Sequence, residues 1–289
     1  MSALAPYVES LKLRIGVFIA MAAALGYLTT VREAPAPGPL ALLFVIVLAA
    51  AAGSGALNHY LDRDLDKLMP RTARRPLPSG RISSGGRVVA LGVGLVAMAV
   101  AAASWALHPL VALHIFLGAF TYVVIYTVWL KRRSWLNVVI GGLAGSFAVL
   151  SGGSLARPEL CLPPLIFAAI LFLWSPTHFW SLGIAYRDEY ARARIPMLPA
   201  VRGAASAARS ILLHTVALLL AAALPVALGL FGVWYVLPAA VGSGALLAAN
   251  LRLVRAPTER PRAMQAFHAS NVWLLLLFVG VVLDVLRRP

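Results

Sequence analysis

Nine runs of predominantly apolar residues follow one another along the chain, near 13–31, 40–60, 87–107, 109–130, 135–156, 162–186, 207–228, 231–252 and 266–286. Each approaches the roughly 20 residues that a helix needs to cross a hydrocarbon core about 30 Å thick. The interruptions are as informative as the runs. Pro35, Pro37 and Pro39 break the chain between the first two, and Pro163 with Pro164 opens the sixth. His108 and Pro109 mark a tight turn; without it the third and fourth runs would form some 44 residues of continuous helix, about twice what a bilayer accommodates. The pattern predicts an all-α, polytopic membrane protein with about nine transmembrane helices.

Composition narrows the class. Of 289 residues, 61% are hydrophobic and 12% charged, with a mean hydropathy of +0.86, which excludes an ordinary soluble domain. Cys161 is the sole cysteine, so no internal disulfide and no cysteine-built metal site can form. The first apolar run lacks a cleavage site and reads as a span, not a signal peptide. A short amino-terminal stretch poor in Arg and Ser favours a bacterial cytoplasmic (inner) membrane over an organelle.

Charge orients the spans. With a cytoplasmic amino terminus, 21 of the 25 Lys and Arg fall inside, and only Arg32, Arg157, Arg287 and Arg288 fall outside, as the positive-inside rule requires. Arg287 and Arg288 are discordant, and a ninth helix that stops short of crossing would remove the discord. Five of the ten Asp and Glu lie in two cytoplasmic loops, about 61–86 and 187–206. That placement predicts two four-helix halves around a central cavity plus one extra helix, within one transmembrane domain spanning 1–289.

The densest chemistry follows the second span, in NHYLDRDLDKLMPRTARRPLPSG, Asn58 to Gly80. On a helix, Asn58, Asp62 and Asp66 are spaced i, i+4, i+8 and rise along one face. Two carboxylates at i, i+4 repel by roughly 0.2–0.5 kcal/mol unless a cation lies between them. Hard oxygen donors suit Mg²⁺, which takes one or two carboxylates and completes its shell with water and phosphate oxygens. Arg71 and Arg75 could then grip those phosphates with paired hydrogen bonds. A solvated loop whose acids and bases pair among themselves fits the same spacing.

Three further places qualify. Tyr122 and Tyr126 lie i, i+4 on the face leading to Lys131, Arg132 and Arg133, although an aromatic belt with snorkelling bases has the same look. His178 follows Pro176 among Trp174, Phe179 and Trp180, and an ionisable group at membrane depth is a site candidate unless it is simply hydrogen-bonded in the interior. His59, beside the acidic strip, carries the same alternative. His108, His114, His214 and His268 read as interfacial or packing residues. Gly141, Gly142 and Gly145 allow close helix approach in the fifth span.

These residues together resemble the UbiA-type intramembrane prenyltransferases. The strip Asn58, Asp62, Asp66, followed by Arg71, Thr72, Arg75, Pro76 and Gly80, is similar to that family's first aspartate-rich motif. Three stretches resemble its haem-modifying branch, the protoheme IX farnesyltransferases: YTVWLKR at Tyr126 to Arg132, the His178 to Pro199 segment with its IPMLP, and AFHASNVWLLLLFVGVVLD near the carboxyl end. Two departures stand out. Only Asp188 and Glu189 represent the second aspartate motif, and Phe147 and Ala148 stand where the branch often has a Pro pair.

The resemblance implies an enzyme that transfers farnesyl from farnesyl diphosphate to a vinyl group of haem b, with water addition, giving haem O and diphosphate. It implies Mg²⁺ on Asn58, Asp62 and Asp66, with Arg71, Arg75, Lys131 and Arg132 on the diphosphate and Tyr122 and Tyr126 beside the substrate. His178 would serve as haem axial ligand or propionate partner, and Asp188 would bind a second metal or orient a base. A haem A synthase or terminal oxidase would be the product's recipient, and no nucleic-acid partner is expected. Donor length depends on cavity depth, and no single residue of the sequence announces it. A family member acting on a quinone precursor or another tetrapyrrole, a transporter and a non-enzymatic haem-binding assembly protein each fit part of the pattern.

Overall fold

The computed structural model describes residues 4–31 and 35–287; Arg32 and Arg288, both used in the charge count, lie outside them. The described elements are helical. A short α1 (Ala5–Ser10) leads into α2 (Leu13–Thr30), α3 (Pro37–Leu61) and a one-turn α4 (Arg63–Lys67). Beyond the loop come α5 (Gly85–Ala106) and α6 (Pro109–Phe120), which runs on as a π-helical segment, Thr121–Leu130. The chain continues with α7 (Asn137–Gly141), α8 (Leu143–Ala156), α9 (Leu162–Ala185), α10 (Arg187–Arg192) and α11 (Leu198–Arg202). It ends in α12 (Ala204–Ala227), α13 (Val233–Arg255) and α14 (Arg260–Leu286).

Among the described residues, nine helical segments are long and apolar enough to cross a membrane, and each coincides with a predicted run. Proline marks the starts: Pro37, Pro109 and Pro163 sit in first turns, where the missing N–H costs nothing. The largest boundary difference is at α14, which begins at Arg260 because Pro261 preorganises its first turn, although hydropathy rises only later. That helix is long and apolar enough to cross, and Arg287 at its end lies over the Trp234 ring at 5.1 Å.

The helices α2 and α8 form the spine. A Cβ on Gly26 would fall 1.8 Å from the Val149 carbonyl oxygen, and one on Gly152 would fall 1.8 Å from that of Ala23. The two backbones therefore touch, as only glycine permits. Around this spine α2, α3, α5, α6 and α8 form one ring, while α9, α12, α13 and α14 form a second ring joined to it through α9. The ninth span, α14, packs on α13 and α9 and completes the second ring of four, while the fifth span, α8, joins the first ring and makes it five. Outward-facing apolar side chains such as Trp105, Leu213 and Val241, 91%, 69% and 68% exposed, form a surface suited to lipid.

Candidate active site

The acidic strip survives a helix break. Asp62 joins α3 to α4 with φ −92° and ψ 0°, yet the Asp62 N–H donates to the Asn58 carbonyl at 2.9 Å and the Asp66 N–H to that of Asp62 at 2.8 Å. The three side chains therefore stay stacked, and all are buried. Asn58 Nδ2 donates to Asp62 Oδ2 at 2.8 Å and to Thr127 Oγ1 at 2.9 Å. Lys131 Nζ donates to the same Asp62 oxygen at 2.5 Å, Arg75 Nη1 to Asp66 Oδ2 at 2.7 Å, and Lys12 Nζ to Asn58 Oδ1. Carboxylates withdrawn from water persist only when paired in this way. One atom is left over: Asp62 Oδ1 is buried with no hydrogen-bond partner.

The solvated-loop alternative applies to the neighbour that points away. Asp64 receives two bonds from Arg132, both 2.7 Å, and Arg132 also donates to the Leu61 carbonyl at 2.8 Å. The guanidinium holds the Asp64 carboxyl down at about 2, and this exposed pair fastens α4 to the end of the π-helical segment. Arg71 also points elsewhere. Its guanidinium reaches Tyr190 Oη at 3.5 Å and lies over the Tyr186 ring, whose surroundings include Arg260. Asp188 pairs with Arg187 at 3.3 Å, and its side chain is 83% exposed. It lines a polar cleft with Glu189, Arg192 and Arg260.

The loop beyond α4 is fixed from beneath. Thr72 Oγ1 donates to the Asp66 carbonyl at 3.0 Å, and His59 Nε2 accepts from the Leu77 N–H at 3.3 Å. His59 thus supports the loop that carries Arg75. Arg81 grips Glu9 with bonds of 2.7 and 3.0 Å, tying the loop to α1.

A π-helix supplies the opposite wall. Its wider turn brings residues five apart into register: the Lys131 N–H bonds the Tyr126 carbonyl at 2.8 Å, and Thr127 Oγ1 donates to the Tyr122 carbonyl at 2.8 Å. Tyr122 and Tyr126 still stack, at 5.8 Å, while Lys131 Nζ lies 5.9 Å from the Tyr126 ring centre. Reading this stretch as α-helix missed Thr127, which the π geometry presents to Asn58. No residue of the stretch carries a signal for that geometry.

Lys12 was also missed, because a lysine just before a span looks like any snorkelling base. It adopts a left-handed conformation, φ 52°, in the turn between α1 and α2. That turn packs where Gly55 lacks a side chain, since a Cβ there would meet the Leu11 carbonyl oxygen at 2.8 Å. Loss of water pushes the Lys12 ammonium down to about 7, with Arg75 acting in the same direction and Asp62 against it. Lys12 and Tyr122 line an apolar cleft between α2, α3, α6 and α8. Gly16, Ala50, Ala51 and Ala119 make its walls.

His178 lies in the other half. Its Nδ1 is 2.9 Å from Ser270 Oγ on α14, and its ring packs 4.3 Å from Trp174 and 4.5 Å from Phe267. Among the described residues no group of three or more His, Cys, Asp and Glu converges as a metal site. The strip offers two carboxylates, one amide oxygen and one orphaned anionic oxygen. This is a hard-oxygen set of the size that Mg²⁺ takes when phosphates and water supply the rest.

The UbiA prenyltransferase family matches residues 17–277. Protoheme IX farnesyltransferase 1 of Paramagnetospirillum magneticum is 47% identical over 278 residues, 96% of this chain and 97% of that protein. Protoheme IX farnesyltransferase 2 of the same organism is 46% identical over 95% of both. The fold is similar to digeranylgeranylglyceryl phosphate synthase, with a TM-score of 0.82 at 17% identity over the whole of both chains. It is also similar to a UbiA homologue from Archaeoglobus fulgidus bound to geranyl diphosphate and Mg²⁺, with a TM-score of 0.73 at 16% identity over 97% and 99%. A polytopic helical chain with this match along most of its length belongs to the UbiA prenyltransferase family.

Proposed function

We propose that this chain, as one transmembrane domain, transfers farnesyl from farnesyl diphosphate to a vinyl group of haem b and adds water, yielding haem O and diphosphate. The observation that carries the proposal is Lys12, which bonds Asn58 of the buried strip and also lines the apolar cleft. A polar head site and an apolar tail site therefore meet at one side chain. Identity of 46% and 47% to two protoheme IX farnesyltransferases along nearly their whole length supports this acceptor.

In this reading Asn58, Asp62 and Asp66 would hold Mg²⁺ with the diphosphate. The ion supplies neutralisation of charge on the leaving group. Lys131 and Arg75, which pair with Asp62 and Asp66, would hold the diphosphate oxygens. As the allylic carbon–oxygen bond breaks, its electron pair leaves with diphosphate, and these bases stabilise the charge that develops. Apolar walls exclude water from the allylic cation. The haem vinyl carbon then forms the new carbon–carbon bond, and water adds to the resulting cation, losing one proton to solvent.

Tyr122 and Tyr126 stand beside the cation with their rings. Arg132 fastens the strip's helix through Asp64, and Arg71 links the first cytoplasmic loop to the second near Asp188. His178 serves the acceptor: Ser270 occupies Nδ1, leaving Nε2 for haem iron or a propionate. The membrane is the bacterial inner membrane, with the amino terminus cytoplasmic. Haem A synthase or a terminal oxidase receives the product.

The test is an assay of purified protein in nanodiscs with haem b, farnesyl diphosphate and Mg²⁺, read by mass spectrometry of the porphyrin with an EDTA control. A metal-dependent gain of farnesyl plus water is expected. Transfer to a quinone precursor or another tetrapyrrole, with none to haem, would overturn the acceptor.

A further inference from the structure

We propose that His114, pinned by Ser154, is the stop that sets how many isoprene units the donor cavity accepts. The inference rests on the reading of the apolar cleft as the site of the prenyl tail.

The cleft has a polar end and a closed end. Lys12, Gly55 and Tyr122 line it near the Asn58 strip, and Val47, His114, Ile115 and Ser151 line it farther along the same helices. From Asn58 back to Val47 is eleven residues of α3, about 16 Å at 1.5 Å per residue. An extended covalent chain advances roughly 1.2 Å per bond, so the main chain of a farnesyl group spans about 14 Å and a fourth isoprene unit adds about 5 Å. The cleft therefore accommodates farnesyl, and geranylgeranyl overruns its floor.

Beyond the floor the helices pack against one another. Ala20, Ala23, Tyr27, Leu43, Ala103 and Val111 form a tightly buried cluster there, and α2 and α8 touch backbone to backbone at Gly26 and Gly152. His114 is the bulky, directional part of this floor. Its Nδ1 is 3.0 Å from Ser154 Oγ, and its ring stacks on Phe147 at 6.3 Å. An aliphatic side chain here could change rotamer under a longer tail. A ring tied to the next helix by a buried hydrogen bond cannot do so without leaving a polar atom unpaired in an apolar wall.

The experiment measures stabilisation of purified, detergent-solubilised protein by geranyl, farnesyl and geranylgeranyl diphosphates with Mg²⁺. Transfer rates are then taken for the same three donors. In the wild type, farnesyl diphosphate should stabilise most. His114→Ala should raise the geranylgeranyl-to-farnesyl ratio, in binding and in kcat/KM, by at least tenfold. Ser154→Ala should move it the same way by less, because it frees the ring without removing it. Ser151→Leu, which raises the floor, should shift preference towards geranyl, and it decides the matter if His114→Ala does not fold. A wild type that binds all three donors with the ranking unchanged in the variants overturns the inference alone. A wild type stabilised by none of them overturns the donor reading and this inference with it.

Discussion

The two halves of the bundle use similar helix rings for opposite ends. In the first, small residues such as Gly16, Ala50, Ala51 and Ala119 face inward and leave an apolar cleft. In the second, Phe167, Tyr235 and Trp273 fill the interior and are essentially fully buried, and the polar cleft of that half lies at its loop end. Tyr235 even satisfies its hydroxyl inside the bundle, on the Ala222 carbonyl at 2.8 Å. Inward side-chain volume, more than helix arrangement, thus decides which ring can take a hydrocarbon tail. The charged strip stands beside the empty ring.

The largest test of this contrast falls on the filled half. Trp273→Ala should cost about 3–5 kcal/mol of stability, as large-to-small changes in packed cores do, while leaving the ranking of prenyl donors unchanged. Thermal unfolding in detergent and donor competition would check both, and an altered ranking would break the division between the halves. Next comes Asp62→Asn, which keeps shape but removes the charge facing Lys131. Prenyl transfer should fall by at least about 100-fold, the scale seen when one group stabilising developing charge is lost, and the unfolding temperature should fall as well, because the buried Lys131 ammonium loses its counter-charge; a full rate in the folded variant would remove Asp62 from the leaving-group site.

Ala51→Leu puts bulk into the cleft. Prenyl diphosphate should bind about tenfold more weakly, equivalent to about 1.4 kcal/mol, and undiminished binding would place the tail elsewhere. The smallest effect concerns Asp64, outside both rings. Its carboxyl titrates below the ordinary value of 3.8, at about 2, because of Arg132. Its pairing therefore stabilises the fold above the ordinary value, and the stabilisation is lost as pH falls towards 2. With the two side chains 38% and 59% exposed, solvent screening limits the loss in Asp64→Asn to about 1 kcal/mol or less. Unfolding followed at neutral pH and near pH 3 should show the difference shrinking in acid; a constant difference would mean that the charge pair is not its source.

Some of the site was legible because local spacing carries it. Asn58, Asp62 and Asp66 stack as i, i+4, i+8 predicts, since backbone hydrogen bonds span the break at Asp62. Other parts depended on contacts distant in sequence. Lys12 reaches Asn58 from 46 residues away, and Thr127 does so from 69. His114, read from sequence as a packing or interfacial residue, takes its significance from Ser154, 40 residues on.

The sequence by itself determined the nine apolar segments, the breaks between them, the family resemblance and the acidic strip. Hydropathy and helical period are properties of neighbouring residues, and the bilayer requires every spanning backbone group to be satisfied within its own helix. Only the tertiary structure decided which ring stays open, which bases face Asp62 and Asp66, and which side chains line the cleft. Those outcomes follow from how side-chain volumes mesh across helices and from which partner a buried charge or hydrogen-bonding atom finds, and neither is a property of any single stretch of chain.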